Sequence, residues 1–111
     1  MTAERADPEA GFRPAGAANL APGQTALRVV DGRELLIARG ADGHYAAVDP
    51  LCSHAALSLE FGRVRGTSIV CPHHGARFCL KTGRVLGPPA HEAIRAHPTR
   101  VEDGEVFVWL V

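Results

Sequence analysis

The chain is short of the residues that small secreted or membrane proteins use most. It has three cysteines, one methionine, one tryptophan, one tyrosine and four phenylalanines in 111 residues. Three cysteines cannot build the set of bridges that staples a small extracellular domain. Neither charge is in excess: twelve Lys plus Arg balance twelve Asp plus Glu. No net basic field therefore draws nucleic acid, and no acidic excess marks a chain that stays unfolded. No apolar run approaches the roughly eighteen residues of a membrane-spanning helix. Residues Met1 to Ala10 are polar, with Glu4, Arg5, Asp7 and Glu9, and lack the apolar core of a secretory signal. Internal repeats are absent. The expectation is one cytoplasmic domain, residues 11–111, behind a flexible tail of residues 1–10, with no membrane and no nucleic acid among its partners.

Against this plain background two short boxes stand out. The first is Cys52-Ser53-His54 and the second is Cys71-Pro72-His73-His74. Together they read C-x-H and C-x-x-H, each supplying one thiolate and one imidazole. Asp49-Pro50 precedes the first box, and Pro72 and Gly75 shape the second, so both lie in turn-rich sequence suited to folding closely around a small inorganic core. Two ligand sets fit. Cys₂His₂ is a common structural zinc set, although zinc fingers usually pair Cys with Cys and His with His. Two Cys and two His also make the ligand set of a Rieske 2Fe–2S centre, in which two His replace two Cys on one of the irons. The mixed pairs suit the second arrangement, because two loops that each give one Cys and one His can reach across a two-iron core.

The remainder reads as β. Short apolar or alternating runs at 11–17, 25–30, 34–39, 44–48, 63–65, 67–70, 77–80, 95–101 and 105–110 are separated by turn residues. Asp31-Gly32, Asp42-Gly43 and Asp103-Gly104 are hairpin signals, since glycine accepts the positive φ that a tight turn demands. Only Ser53 to Leu59 suggests a helical turn. The fold expected is all-β: an antiparallel sandwich or small barrel with both boxes at one end. Cys79 fits strand packing, Trp109 fits sheet-face packing, and His44, His91 and His97 fit surface or internally satisfied histidines. Arg63, Arg65 and Arg77 fit solvated strand faces, some of which could touch a protein partner.

The run from Cys71 through Gly75-Ala76-Arg77-Phe78-Cys79, with Lys81-Thr82-Gly83 and Gly87-Pro88-Pro89-Ala90 after it, resembles the second box and proline loop of Rieske-type ferredoxins from bacterial multicomponent oxygenases. The first box, with Leu57-Ser58-Leu59-Glu60-Phe61-Gly62 behind it, is similar to the same pattern. The resemblance runs from about Gly11 to the C-terminus. It implies one 2Fe–2S cluster, with Cys52 and Cys71 on a buried iron and His54 and His74 on the outer iron that takes up the electron. His73 would flank the cluster without binding it. High-potential relatives add one Cys to each box to form a bridge; here those places hold Leu57 and His73. A chain of this length has no room for the separate catalytic domain of an oxygenase. The resemblance therefore implies an electron carrier and not an enzyme: a monomer that passes electrons from a flavoprotein NAD(P)H reductase to a terminal oxygenase acting on aromatic or similar apolar substrates. A small Rieske-like subunit of an assimilatory nitrite reductase is the alternative, and a structural zinc module a more distant one.

Overall fold

The structure, a computed structural model, describes residues 11–53, 58–73, 75–88 and 92–111. Among the described residues there is no helix. The strands are β1 (Phe12–Ala17), β2 (Thr25–Val30), β3 (Arg33–Arg39), β4 (Tyr45–Val48), β5 (Arg63–Arg65), β6 (Ser68–Val70), β7 (Arg77–Cys79), β8 (Val85–Gly87), β9 (Ala96–His97), β10 (Thr99–Glu102) and β11 (Glu105–Trp109). They form three antiparallel sheets, in the orders β1-β11-β10, β2-β3-β4-β9 and β5-β6-β7-β8.

Strand β3 explains how the sheets stack. Successive side chains of a strand point to opposite faces, yet Leu35, Leu36, Ile37 and Ala38 are all buried. Leu35 and Ile37 join Val30, Ala47, Val106 and Val108 in one core. Leu36 and Ala38 join Val48, Leu59, Ile69 and Phe78 in the other. The β2-β3-β4-β9 sheet is thus the middle layer, with the other two sheets packed on its two faces. An unbroken apolar run is what a strand covered on both sides requires.

The expected hairpin signals are where they should be. Asp31 and Gly32 have φ of 52° and 84°, and Asp103 and Gly104 of 53° and 77°. Positive φ at both central residues is the two-residue turn whose twist matches the strands it joins. Asp42-Gly43 lies in a wider loop between β3 and β4, closed by Gly43 N–H to Gly40 O at 2.9 Å and Gly40 N–H to His44 O at 3.0 Å.

Two strand expectations need correction. The single strand expected over 95–101 is divided at Pro98. Before it, β9 pairs with β4; after it, β10 pairs with β11 in a different sheet. Proline has no N–H for a ladder, and here it marks the point where the chain changes sheets. Strand β8 was not expected, since Val85–Gly87 is too short and too rich in glycine and neighbouring proline to show in a hydrophobic pattern. The helical turn expected at Ser53 to Leu59 spans residues 54–57, which lie outside the described residues.

Candidate metal centre

The first box leaves the end of β4. Asp49 N–H donates to Arg95 O at 3.0 Å, Leu59 N–H donates to Pro50 O at 2.7 Å, and Leu51 pairs with Ser58 across an isolated bridge. The two limbs of the loop are therefore tied at its base. Gly62 lets the returning limb lie against the third sheet: a Cβ there would stand 2.6 Å from Val70 O, closer than any side chain tolerates. The Ser53 hydroxyl donates to Glu92 O at 2.5 Å, anchoring the loop to the segment that precedes β9.

The second box is the tip of the β6–β7 hairpin. Cys71 N–H donates to Ala76 O at 2.7 Å, and Gly75 N–H returns to Cys71 O at 3.1 Å. Gly75 has φ of 80°, a conformation that side-chain-bearing residues rarely adopt. This closed turn holds Cys71 with its side chain inward.

Cys52 and Cys71 are 1 % and 2 % exposed and share one buried cluster with Leu59, Ala76 and Phe78. Nineteen positions separate them in the chain, and the fold brings them into the same core from two loops. No disulfide joins any two of the three cysteines. His54 and His74, the two expected imidazole ligands, lie outside the described residues. Among the described residues no group of three or more His, Cys, Asp or Glu side chains is gathered for a metal ion. His73 is described and exposed. Two buried thiols, unbridged, at the meeting of two tight loops are a donor pair that suits a soft, thiolate-bound metal, so the residues present fit an iron–sulfur group.

Cys79 stands apart. It ends β7, is only half-buried, and is not part of the cluster that holds Cys52 and Cys71. Burial pushes its thiol up, but hydrogen bonds with Thr82 and the Lys81 backbone outweigh this and leave it below the usual thiol range.

One support of the first box escaped the sequence reading. The His97 side chain is fully buried. Its Nδ1 accepts the Val111 N–H at 2.9 Å, so the ring proton sits on Nε2, which donates to Asp49 Oδ1 at 2.8 Å. Arg33 adds a guanidinium 3.7 Å from the same carboxylate oxygen and donates to Val111 O at 3.2 Å. Asp49, three residues before Cys52, is thus fixed from β3 and β9 at once. His97 is the satisfied histidine that its strand position suggested. Its pairing with a carboxylate 48 positions away left no trace in the sequence.

Comparison with known proteins gives the same picture. The family model "Rieske [2Fe-2S] domain" matches residues 13–98. The 3-phenylpropionate/cinnamic acid dioxygenase ferredoxin subunit of Escherichia coli O139:H28 is 35% identical over 88 residues, covering 78% of this chain and 82% of that one. Among solved structures, the complex of reduced oxygenase and oxidized ferredoxin in carbazole 1,9a-dioxygenase superposes with a TM-score of 0.75 at 30% identity, covering 86% of this chain and 98% of the matched one. A Mycobacterium tuberculosis protein described as an NADH-dependent nitrite reductase small subunit reaches a TM-score of 0.80 at 24% identity, covering 90% and 95%. That last is a likeness of fold alone. By sequence and by fold, this chain belongs to the Rieske [2Fe-2S] domain family, among its ferredoxins, which carry electrons and are not themselves catalytic enzymes.

Proposed function

We propose that the protein holds one 2Fe–2S cluster, with Cys52 and Cys71 on the inner iron and His54 and His74 on the outer, and serves a multicomponent oxygenase. When bound, such a cluster takes up and gives back one electron at a time. The burial of Cys52 and Cys71 in one apolar cluster is the observation that supports this most strongly. As iron ligands the two sulfurs would be thiolates, and the ferric iron would supply the opposite charge that a buried anion requires. The chain's own residues do the rest. Asp49, His97 and Arg33 fix the base of the first loop, while the Cys71–Ala76 turn fixes the second. Leu59, Ala76 and Phe78 keep water from the thiolate side. The histidine side would be the edge nearer to solvent and the route for the electron.

The electrons would come from a flavoprotein NAD(P)H reductase and pass to a terminal oxygenase acting on an aromatic or similarly apolar substrate. The names of the relatives, a dioxygenase ferredoxin subunit and a ferredoxin in complex with an oxygenase, support this reading. Mixing the holoprotein with a flavoprotein ferredoxin reductase, NADH and a ring-hydroxylating oxygenase tests it. Product formation should require the ferredoxin and rise with its concentration. Equal turnover without it, or no bleaching of its colour by NADH and reductase, would contradict the assignment.

A further inference from the structure

The chain is neutral as a whole but not in its parts. Between Phe61 and His91 it carries Arg63, Arg65, Arg77, Lys81 and Arg84 and no Asp or Glu. The whole chain balances twelve cations against twelve carboxylates, so everything else carries an excess of five carboxylates. The cationic stretch contains the second box and the entire β5-β6-β7-β8 sheet.

The register of that sheet sorts the charges. Arg63 pairs with Val70, Val70 with Arg77, and Arg77 with Gly87; Arg65 pairs with Ser68. Directly opposed residues of antiparallel strands share a face, as do residues two apart. Arg63, Arg65 and Arg77 therefore project from one side of the sheet. Val64, Ile69, Phe78 and Val85, the intervening row, face the core that holds Cys52 and Cys71. All three arginines are exposed. Among the described residues neither they nor Arg84 forms an ion pair, whereas Lys81 is paired with Asp42 at 3.4 Å. The row Arg63–Val70–Arg77 adjoins Cys71 directly. Arg77 lies over Gly87, where a Cβ would meet its guanidinium at 3.0 Å, and donates to Leu86 O at 3.1 Å. Leu86 is the extra residue of a β-bulge between β7 and β8 and is 38 % exposed. Phe61, two residues before Arg63, is 82 % exposed.

We propose that this arginine face is the surface on which an acidic patch of a redox partner protein docks, beside the second cluster loop. The inference rests on the carrier reading above. Arginine beside an exposed phenylalanine is a composition enriched at protein interfaces. A nucleic-acid surface would draw on a net basic domain, which this is not. A local positive field on a neutral molecule steers a negative partner to the cluster end and leaves the rest of the surface unattractive.

Charged redox reagents test the field at the point of electron exit. Reduced holoprotein gives one electron to ferricyanide, yielding ferrocyanide, or to hexaammineruthenium(III), yielding the ruthenium(II) ion; no proton or bond changes. Raising salt from ~20 to ~200 mM should slow the ferricyanide reaction at least ~5-fold and leave the ruthenium reaction unchanged or faster. The double variant Arg63→Glu with Arg65→Glu should abolish the ferricyanide dependence, Arg63→Gln with Arg65→Gln should weaken it, and Asp103→Asn in the β10–β11 turn should preserve it. A readout free of electron transfer is the anisotropy of labelled poly-L-glutamate at ~50 mM salt, which should rise with wild type and not with the charge-reversed variant. Equal salt slopes for the two reagents, or charge reversal without effect, would overturn the docking face and leave the carrier standing. Binding of a random duplex DNA tighter than ~1 µM at ~150 mM salt would overturn it in favour of nucleic acid. A colourless chain with no electron exchange would overturn the carrier reading and the inference together.

Discussion

At the scale of single residues, the proposed centre would depend on four side chains, with His73 the one spare donor beside them in the sequence. Cys52→Ser, Cys71→Ser, His54→Ala and His74→Ala should each abolish or severely reduce iron incorporation, while His73→Ala should leave a red-brown protein; iron and sulfide analysis of the purified variants decides this. Retention of the cluster in His74→Ala and its loss in His73→Ala would exchange the roles of those two residues. The cysteine half of the proposed site rests in sequence on spacing and flanking turns, and the structure adds the shared burial of Cys52 and Cys71. The potential follows from two neighbours. High-potential members of the family place Ser and Tyr where this chain has Ala76 and Phe78, and both of these are fully buried in the cysteines' cluster with no side-chain donor to offer. If each missing hydrogen bond strengthens by ~1–2 kcal/mol on reduction, losing both lowers the potential by ~80–170 mV. The midpoint should therefore lie near the bottom of the roughly −150 to +300 mV Rieske range. The double change Ala76→Ser with Phe78→Tyr should raise it, as read by protein-film voltammetry. A wild-type value above about +100 mV would place the centre in the high-potential half of that range and contradict the account.

At the scale of strands and loops, the elements that sequence revealed are those with a local cause. Asp-Gly turns, alternating runs and the doubly buried β3 all write themselves into composition. The sheet exchange at Pro98 and the short β8 do not, because what defines them is the partner strand and not the residues themselves. The same holds for the Asp49–His97 pair, whose members meet only in the folded chain. Replacing His97 with Leu strands the Val111 N–H and deprives the Asp49 carboxylate of its donor, and should cost about 1–3 kcal/mol in urea unfolding. His97→Gln, which keeps a donor for Asp49, should cost less; equal stability of His97→Leu and wild type would remove the pair as a support. On the opposite flank, the His44 N–H at 3.0 Å and then Lys81 at 3.4 Å hold the Asp42 carboxyl below its usual value. A lowered carboxylate contributes stability above the ordinary value of about 4 and loses it as pH falls through the lowered one. Asp42→Asn should therefore narrow the gap between urea midpoints at neutral and acid pH, and an unchanged gap would contradict the tie. Loops held by few strand bonds should be the ones most dependent on metal. Hydrogen exchange is expected to show apo protein losing protection first at 50–57 and 71–87, and equal protection in apo and holo forms would refute that.

At the scale of the whole molecule, a middle sheet covered on both faces is the platform; the first box leaves it at the β4–β5 connection, and the second leaves the sheet packed on it at the β6–β7 connection. A domain this small, with twelve glycines and eight prolines, buries a limited core, so a metal group bridging both connections would join what the strands leave separate. Neutrality overall and charge separation within were both open to a count of the sequence, but only the register of the third sheet shows that three arginines share one face. The central claim is that two cysteines and two histidines hold a two-iron cluster that carries a single electron. Electron paramagnetic resonance of the purified protein, oxidised and then reduced with dithionite, tests it most directly, with pulsed measurement of nitrogen couplings on the same sample. The oxidised protein should be silent, and the reduced protein should give about one unpaired spin per chain coupled to two imidazole nitrogens. A colourless protein with one zinc per chain, silent in both states, or a reduced signal free of nitrogen coupling, would contradict the account.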